Sequence, residues 1–390
     1  MTKLEKLIKE LCPDGVKYKE LKQVSDMKRG TSITKKNVIE GTIPVISGGR
    51  EPAYYCDKYN RDGETITVAG SGAGAGYVQY WDIPIFVCDA FSIQGHEDVN
   101  TKYLYYCLSN KQEYIYSTKK GGGVPHVHIS SIENMQIPIP PLPVQREIVR
   151  ILDNFTELTA ELTAELTARK RQYTEYLNIL IDKKRFSSPT VMKLGELFDF
   201  RNGLSKGKEF FGKGTPFIRY TDVYNNRVLY KDNISALVEC TPSELEKLRV
   251  TRGDVLFTRT SETAEDVGWS SVMLEDIGDC VFNGFTIRAT PKKDYLLPEY
   301  CAYCFSTKEF RQYVASHCAF TTRASLTGKT IAEYELAVPS IEEQRAVVSI
   351  LSKLYSLCNS LSDGLPAEIN ARKRQYEYYR DKLLNFKEVI

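Results

Sequence analysis

Three short segments of the chain carry residue types that can bind phosphate or metal ions. The glycine run Gly70–Gly76 suggests a phosphate loop, but the following YVQYWDIPIFV favours a strand, not the helix whose N-terminus would hold phosphate. Gly328–Thr330 spells the end of a Walker A motif, yet Arg323 stands where that motif needs its first glycine. Cys301 and Cys304 form a lone C-x-x-C without a second pair or a nearby histidine, so core packing in an amphipathic helix is preferred. None of the three predicts a catalytic, nucleotide or metal site.

Composition places the chain among ordinary globular proteins. Its 390 residues, 42% hydrophobic and 26% charged, are enough for two domains with connecting structure. The formal net charge is only +2, so any signal for a polyanionic partner must be local. The ten cysteines mostly stand singly in apolar segments, as thiols do in a reducing compartment. No apolar run approaches the roughly 20 residues of a membrane span, and MTKLEKLIKE is too charged for a signal peptide, so we expect a cytoplasmic protein.

The sequence contains an internal duplication. IPIPPLPVQREIVRILDNF at 137–155 is echoed by LAVPSIEEQRAVVSILSKL at 336–354, and ARKRQYTEYLNILI from 168 is echoed by ARKRQYEYYRDKLL from 371. Fainter matches pair Leu21, Asp26, Gly30, Pro44, Gly63, Phe91, Ile93 and Tyr103 with Leu194, Asp199, Gly203, Pro216, Gly253, Phe285, Ile287 and Tyr300. The second copy is the longer, so the copies should share a scaffold and differ in loops.

Each copy has the pattern of a mixed domain followed by a long helix. TITVAG, DIPIFVCDAF, DVLFTRT and DCVFNGFTIRA predict strands, while NTKYLYYCLSNKQEYIYS and LPEYCAYCFSTKEFRQYVAS predict one helix per copy. Apolar residues then recur at three- and four-residue steps from Gln145 to Arg185 and from Gln344 to about Phe386. Gly364 and Pro366 should break or kink the second helix. The fold class predicted is α+β: two mixed domains separated by two long helices in an antiparallel coiled coil, with a pseudo-two-fold repeat.

Both repeated signatures together resemble the specificity subunit of a Type I restriction-modification system. The resemblance covers essentially the whole chain and implies two target recognition domains, 1–143 and 187–339, and two helical spacers, 144–186 and 340–390. It further implies that each domain recognises one half of a bipartite DNA sequence. Partners would be double-stranded DNA, two modification subunits carrying S-adenosylmethionine, and restriction subunits that use ATP and Mg. No cofactor is expected on this chain itself.

The chain is predicted to be no enzyme. An N6-adenine methyltransferase needs a D/N-P-P-Y/F loop, and the only P-P pair, in IPIPPLP, has isoleucine before it and leucine after it. The alternative function is a coiled-coil scaffold without sequence-specific DNA binding of its own. Such a scaffold would give no reason for two divergent sets of loops.

Candidate DNA-binding residues lie in polar, basic loops that differ between the copies, because bases are recognised by Arg, Lys, Asn, Gln and hydroxyl side chains. In the first copy they are Lys28, Arg29, Ser47, Arg50, Ser71, Lys119, Lys120 and His126. In the second copy they are Arg219, Thr221, Arg259, Ser261, Thr322, Arg323 and Ser325. The loops at 259–262 and 321–325 align with the glycine loop and with the loop at 119–126.

The four-residue sequence TAEL occurs at 159–162 and again at 163–166. One copy lengthens a helix by about 6 Å, which compares with about 3.4 Å for one base pair of B-DNA. We therefore interpret the repeat as part of a ruler that sets the spacer between the half-sites. The alternative is simple low complexity, since Ala, Glu and Leu are good helix formers.

Overall fold

A computed structural model describes residues 2–34 and 38–389. It divides into two compact units. Unit 1 comprises Met1–Thr163 and Glu368–Ile390, and unit 2 comprises Ala164–Ala367. The chain thus leaves unit 1, builds unit 2, and returns to unit 1.

Unit 1 is a mixed domain, as predicted. Its strands are β1 (Lys17–Glu20), β2 (Ser25–Arg29), β3 (Ile43–Ile46), β4 (Tyr54–Cys56), β5 (Thr65–Ala69), β6 (Val78–Trp81), β7 (Phe86–Val87), β8 (Ala90–Gly95) and β9 (Gln136–Ile139). Its helices are α1 (Lys3–Leu11), α2 (Leu21–Val24), α3 (Thr101–Asn110), α4 (Gln112–Ser117), α5 (Ile129–Ile132) and α6 (Leu142–Ile181), which continues into unit 2.

Among the described residues of unit 1, three small sheets organise the domain. The strand order is β2-β8-β5-β6 in the largest sheet, β4-β3-β7 in the second and β1-β9 in the third. All five residues of β5 are buried, which fits a central strand covered on both faces. The core cluster includes Ile66, Val68 and Ile93 of the largest sheet together with Tyr103 and Leu104 of α3.

Unit 2 repeats this plan with additions. Its strands are β10 (Thr190–Lys193), β11 (Phe198–Asn202), β12 (Phe211–Ile218), β13 (Val228–Leu229), β14 (Ala236–Val238), β15 (Val255–Thr258), β16 (Thr260–Ser261), β17 (Ser270–Met273), β18 (Val281–Phe282), β19 (Thr286–Pro291), β20 (Ala319–Phe320), β21 (Ala324–Ser325) and β22 (Glu335–Val338). Its helices are α7 (Leu194–Leu197), α8 (Tyr220–Asn225), α9 (Pro242–Leu248), α10 (Pro298–Cys304), α11 (Lys308–His317), α12 (Gly328–Ala332) and α13 (Ile341–Asn359), after which α14 (Leu365–Leu383) leads back to unit 1.

The largest sheet of unit 2 has the order β11-β19-β15-β17-β13. Its first four strands correspond to β2-β8-β5-β6 of unit 1, and β13 is a fifth strand at the edge. The sheets β14-β12-β18 and β10-β22 correspond to β4-β3-β7 and β1-β9. A further small sheet of unit 2 has the order β16-β21-β20.

The prediction of one helix between the sheet and the proline-rich segment is wrong in both copies, because each helix is interrupted. In unit 2, α10 ends at Cys304 and Thr307 is the N-cap of α11: its hydroxyl donates to the Cys304 carbonyl (3.0 Å) and accepts from the Phe310 amide (3.3 Å). A threonine that satisfies the first free N–H groups of a new helix favours such a break. In unit 1 the interruption is the single residue Lys111 between α3 and α4.

The glutamine repeated in the two long-helix motifs makes the same three hydrogen bonds in both units. Gln145 Oε1 accepts from the Asn100 amide (2.8 Å), while its Nε2 donates to the carbonyls of Asp98 (3.2 Å) and Pro140 (2.7 Å).

In unit 2, Gln344 Oε1 accepts from the Leu297 amide (2.8 Å), and its Nε2 donates to the carbonyls of Tyr295 (2.9 Å) and Pro339 (3.0 Å). Both side chains are fully buried, where an unpaired amide would be costly. The repeated glutamine therefore fixes the start of each long helix to its mixed domain.

The first long helix, α6, is continuous over 40 residues, and the second is interrupted as the sequence predicts. α13 ends at Asn359 and α14 begins at Leu365. A Cβ added to Gly364 would lie 2.7 Å from the Ser356 carbonyl oxygen, so only glycine permits this close return of the chain. Pro366 at the start of α14 lacks an N–H that a first helical turn would leave unpaired.

Within each unit, part of α6 packs beside a second long helix. In unit 2, Tyr173 contacts Tyr355 of α13 with ring centroids 5.8 Å apart, and the Ser187 amide donates to Glu343 at the other end of α13 (3.0 Å). Ser187 lies beyond the end of α6, and its partner Glu343 precedes Tyr355 in α13, so the chain runs along α13 from the C-terminal towards the N-terminal part and the two helices are antiparallel. In unit 1, Phe155 of α6 stacks on Tyr379 of α14 at 5.5 Å.

The segment after α14 completes the core of unit 1. Leu384 joins the core cluster, and the Tyr18 hydroxyl donates to the Phe386 carbonyl (2.9 Å). Val16 forms a parallel β-bridge with Glu388. Residues that are far apart in sequence therefore build one hydrophobic core.

The C-x-x-C cysteines pack in the core of unit 2, as predicted. Cys301 and Cys304 are each 1% exposed, and burial raises the pKa of the Cys301 thiol to about 12. A thiol held neutral in this way is a poor metal ligand and a poor nucleophile.

Candidate nucleic-acid interface

Three loops of unit 1 meet at one point through backbone hydrogen bonds, and unit 2 repeats the arrangement. In unit 1 the Gly70 amide donates to the Asp89 carbonyl (3.0 Å), and the Gly70 carbonyl accepts from the Val127 amide (3.0 Å). In unit 2 the Arg259 amide donates to the Phe285 carbonyl (2.8 Å), and the Arg259 carbonyl accepts from the Leu326 amide (2.8 Å). Each unit therefore presents the loop after its central strand, the turn before β8 or β19, and the loop after α4 or α11 on one surface.

A glycine closes the first of these loops in both units. Gly76 donates to the Ala69 carbonyl (2.7 Å) with φ 84°, and Gly268 donates to the Thr258 carbonyl (2.9 Å) with φ 72°. Positive φ values disfavour residues with a side chain. The loop differs in length and composition between the copies, but it starts and ends on the same backbone bonds.

The loop after α4 or α11 folds back on itself in both units. In unit 1, Ser71 and Lys120 form antiparallel bridges with His126. In unit 2 the corresponding residues form short strands: β16 pairs with β21 through Thr260 and Ser325, and β20 pairs with β21 through Ala319 and Ser325. The alignment of these loops between the copies is thus borne out by their pairing.

Some candidate residues of unit 1 converge and others do not. Arg29 and His126 line one cleft of about 290 Å³ together with Asp89 and His128, and the rings of His126 and His128 stack with centroids 6.0 Å apart. Ser71 lies at its edge, because its hydroxyl donates to Asp89 Oδ2. These three candidates therefore share a surface.

Lys28 points away from that cleft. Successive side chains of a strand face opposite sides, and Met27 packs on the core while Lys28, paired with Ser92, lies on the other face. Lys28 and Arg29 are both exposed, and their side chains leave β2 on opposite faces.

The remaining candidates of unit 1 surround the glycine loop. Ser47 is half-buried, and a Cβ added to the next residue, Gly48, would lie 2.1 Å from the Ser71 carbonyl oxygen. The Arg50 guanidinium lies 4.9 Å from the centroid of Tyr77. Lys119 Nζ lies 4.2 Å from the centroid of Tyr116, whereas Lys120 is exposed.

Three of the unit 2 candidates line two adjacent clefts. Ser261 and Arg323 lie with Tyr220, Glu262 and Phe285 around a cleft of about 410 Å³.

Arg259 lies in the second cleft, of about 560 Å³, which Phe285 and Lys206 also line. Thr322 is exposed near Arg323, and Ser325 is half-buried in β21.

Arg219 is already engaged within the protein. Its guanidinium donates to both carboxylate oxygens of Asp222 (3.2 and 2.8 Å), and that hydrogen bonding raises the pKa of Arg219. The pair begins α8, on which Thr221 is exposed. Arg219 remains a candidate, but contact with DNA would have to share or break these bonds.

Two exposed residues of the interface were missed by the search for basic loops. Asp89 is exposed, and Phe285 is 61% exposed. The sequence comparison paired Phe285 with Phe91, but Phe91 is buried and the hydrogen bonds place Phe285 opposite Asp89. That pairing and the pairing of Ile93 with Ile287 are wrong by two residues. Asp89 falls inside a single predicted strand, DIPIFVCDAF, whereas the structure has two strands there, β7 and β8, and Asp89 lies in the turn between them.

The sequence family model described as "Type I restriction modification DNA specificity domain" matches residues 13–169 and again residues 189–371. The chain belongs to this family. It is a DNA specificity subunit, and its role in a Type I restriction-modification system is sequence recognition and not catalysis. Membership in the family does not favour the alternative of a scaffold without DNA recognition.

Individual relatives agree with the family assignment. The EcoR124I/EcoR124II specificity subunit of Escherichia coli is 31% identical over 301 residues, covering 73% of this specificity subunit and 70% of the relative. The S subunit of a Type-I restriction-modification system from M. genitalium has a similar fold, with TM-score 0.54, 18% identity, and coverage of 97% of this chain and 98% of that one. The HsdS subunit from Thermoanaerobacter tengcongensis gives TM-score 0.52 and 18% identity, covering 95% and 97%.

The nucleotide-like motifs of the specificity subunit have structural explanations. The glycine run 70–76 leads into strand β6, as predicted, and not into a helix. Gly328 begins the five-residue α12, where an added Cβ would lie 2.9 Å from Phe200 Cβ. Within 2–34 and 38–389, no group of three or more His, Cys, Asp or Glu side chains could hold a metal ion. Over the same residues no helix is long and apolar enough to cross a bilayer.

Proposed function

We propose that the mixed domains at 1–143 and 187–339 each recognise one half of a bipartite DNA target. The observation that carries this proposal is that the two units hold their loops on the same backbone hydrogen bonds, at Gly70 and at Arg259, while the side chains on those loops differ. A common frame gives both domains the same approach to a duplex. Different side chains then select different bases.

Within this proposal the candidate residues divide by chemistry. Lys120 is exposed on a glycine-rich loop, and a flexible ammonium group suits contact with phosphate. Arg323 is exposed beside Ser261 in the smaller cleft of unit 2, and a guanidinium suits the O6 and N7 acceptors of guanine. Arg29 and His126 line the cleft of unit 1, where they are placed to contact a duplex from the first domain.

The helical segments at 144–186 and 340–390 would serve as spacers and as docking surfaces for two modification subunits. Support comes from the repetition of the ARKRQY motif, which lies on exposed stretches of α6 and α14. Two copies of one surface suit two copies of one partner. S-adenosylmethionine would be bound by the modification subunits, and ATP and Mg by restriction subunits. The assembled complex would act on DNA in the cytoplasm.

The test is to co-express the full chain with the modification subunit of its system and to map methylated adenines across a bacterial genome. We expect one bipartite motif with two specific halves and a spacer of fixed length. Exchange of residues 187–339 for those of a relative should replace one half only. Methylation without sequence preference, or a motif with a single half, would contradict the proposal.

The TAEL repeat offers a second test, of the ruler. Residues 159–166 lie in the middle of α6, and the division between the two units falls within them, after Thr163. Deleting Thr163–Leu166 removes about 6 Å of helix, so the spacer should shorten by one or two base pairs while both halves of the motif stay the same. An unchanged spacer in the deletion variant would leave low complexity as the explanation. Replacing Thr163–Leu166 with four alanines is the matched control, because it keeps the length of the helix.

A further inference from the structure

Asp89 and Phe285 occupy the same position of the two recognition domains. The carbonyl of each accepts a hydrogen bond from the residue that follows the central strand, Gly70 in unit 1 and Arg259 in unit 2. The next residue along the chain begins β8 in unit 1 and β19 in unit 2, so the backbone around both is alike. One position thus carries a carboxylate in one unit and a phenyl ring in the other, and both side chains are exposed.

Asp89 is held so that one oxygen remains available. The Ser71 hydroxyl donates to Oδ2, and among the described residues no donor reaches Oδ1 and no cation pairs with the carboxylate. The carboxylate lines the cleft that contains Arg29 and His126, two residues selected independently as DNA-binding candidates. Asp89 is therefore a positioned hydrogen-bond acceptor on the surface proposed to face DNA.

A carboxylate on such a surface has few partners on DNA. An ionised Asp side chain only accepts hydrogen bonds, and phosphates repel it. In the major groove the donors are the N4 amino group of cytosine and the N6 amino group of adenine, while guanine and thymine offer acceptors at the corresponding atoms. A carboxylate at this position would therefore disfavour sequences that do not place an amino group at Oδ1.

Phe285 has different chemistry at the same place. Its ring is 61% exposed and forms the wall shared by the two clefts of unit 2. An exposed phenyl ring between two polar clefts gains most from an apolar partner. The only apolar group that bases present in the major groove is the thymine C5-methyl.

We propose that this shared position determines one base in each half-site: Asp89 accepts from a cytosine or adenine amino group, and Phe285 contacts a thymine methyl group. The inference rests on the function proposed above and deepens it. Ser71 acts as a positioning residue, because it fixes which carboxylate oxygen faces the duplex. The chemistry of the two half-sites thus differs at one matched step along the DNA.

The test uses the full chain with its modification subunit and synthetic duplexes that carry the wild-type motif. Each adenine and cytosine of the first half-site is replaced in turn by an analogue that lacks the exocyclic amino group, and each thymine of the second half-site by deoxyuridine, which lacks only the methyl group. For wild type, one amino deletion in the first half and one methyl deletion in the second should each weaken binding, the amino deletion by roughly tenfold.

The variants identify which residue senses which group. The amino deletion that weakens binding of the wild type should not weaken binding of Asp89→Ala any further. Likewise, the deoxyuridine that weakens binding of the wild type should not affect Phe285→Ser. Each variant should keep the wild-type response to substitutions in the other half-site. Asp89→Asn preserves the shape and can still bond Ser71, so it should fold normally and relax the preference at the same base. Ser71→Ala should reduce the discrimination at that base without abolishing it. Glu97→Ala, at an exposed carboxylate outside the cleft, is the control and should match wild type.

Two results would overturn the inference. One is that Asp89→Asn folds, as shown by its thermal unfolding, but keeps the full wild-type response at every base. The other is that the variants weaken binding equally to all duplexes, which would assign both residues to general affinity. Failure of the proposed function itself is distinguishable, because the wild-type complex would then show no bipartite motif at all.

Discussion

Tyr106 of unit 1 and Tyr303 of unit 2 stand at the same place in the fold and connect their domains to the long helices in different ways. The Tyr106 hydroxyl donates to Asp153 of α6 (2.6 Å), and Lys102 pairs with the same carboxylate at 2.9 Å. The Tyr303 ring instead covers the guanidinium of Arg227 at 4.0 Å.

The Arg227 guanidinium also lies 4.1 Å from the ring centroid of Tyr355 of α13. Arg227 immediately precedes β13, the edge strand that has no counterpart in the four-stranded sheet of unit 1. The additional strand brought a cation between the two aromatic rings, whereas in unit 1 the tyrosine hydroxyl bonds a carboxylate.

Gln145 and Gln344, by contrast, make the same three hydrogen bonds in both units. The comparison indicates that the start of each long helix is fixed by one mechanism, while the second link was free to change with the domain.

We expect the largest loss of stability when either of the two buried glutamines, Gln145 or Gln344, is replaced. Gln145→Leu leaves an amide and two carbonyls buried without partners and should lower the free energy of unfolding by about 3 kcal/mol. Gln344→Leu should cost the same, because its three bonds are the same. Urea unfolding of the full chain measures both. Gln136→Leu, at an exposed position of β9, is the control and should stay within about 0.5 kcal/mol of wild type. Unequal losses at the two glutamines would contradict the idea of a common link.

The tyrosine contacts, which differ between the units, should lose different amounts of stability on substitution. Arg227→Ala removes a cation from between two rings and should cost about 2 kcal/mol, whereas Tyr106→Phe removes one hydrogen bond to a carboxylate and should cost about 1.5 kcal/mol. Arg227→Met keeps most of the packing volume, so the difference between Met and Ala separates packing from charge. If Met and Ala lose the same amount, the contribution is electrostatic; if Met matches wild type, the two aromatic rings need only an apolar filler.

The smallest effect depends on pH and is confined to unit 1. Glu147 is buried on α6 and accepts from Arg150 and Lys3, and these bonds, led by Arg150, lower its pKa to about 2. Because the pKa is depressed in the folded state, the stabilisation is complete above the unfolded value near 4.5 and is lost as the pH falls towards 2.

Glu147→Gln should therefore lower the free energy of unfolding by about 1 kcal/mol at pH 7, since both partners are largely exposed, and the difference from wild type should shrink below pH 4.5. The corresponding residue of unit 2 is Ala346, two positions after Gln344 as Glu147 follows Gln145, so unit 2 has no such carboxylate. Hydrogen exchange of peptides from α1 and α13 across this pH range distinguishes the units. Equal pH dependence in both peptides would contradict the assignment.

The sequence predicts the elements that are governed by local pattern. The long helices follow from apolar residues at three- and four-residue steps, and the interruption near Gly364 follows from a glycine and a proline. Strands such as β5 and β15 follow from short β-branched runs. These features need no knowledge of distant residues.

The features that the sequence does not predict depend on contacts between residues that are distant in the chain. The break at Thr307 requires its hydroxyl to bond both neighbouring helices, and a threonine alone does not predict that. The two-residue error at Phe285 arose because a phenylalanine was matched to a phenylalanine, although one is buried in the sheet and the other is exposed on a loop. Asp89 was missed because basic residues were sought, while an acidic residue on a DNA-facing surface has meaning only once Ser71 is seen beside it.

Because residues 368–389 belong to unit 1, the two units cannot be finished in the order in which a ribosome makes them. Unit 2 has all of its residues once position 367 has been synthesised. At that point unit 1 still lacks Leu384, which packs in its core, and Glu388, which forms the β-bridge with Val16. The domain translated first is thus the domain completed last. A nascent chain interrupted after unit 2 would carry one finished recognition domain and one with an open hydrophobic core, a state that proteases can remove before it binds a partner.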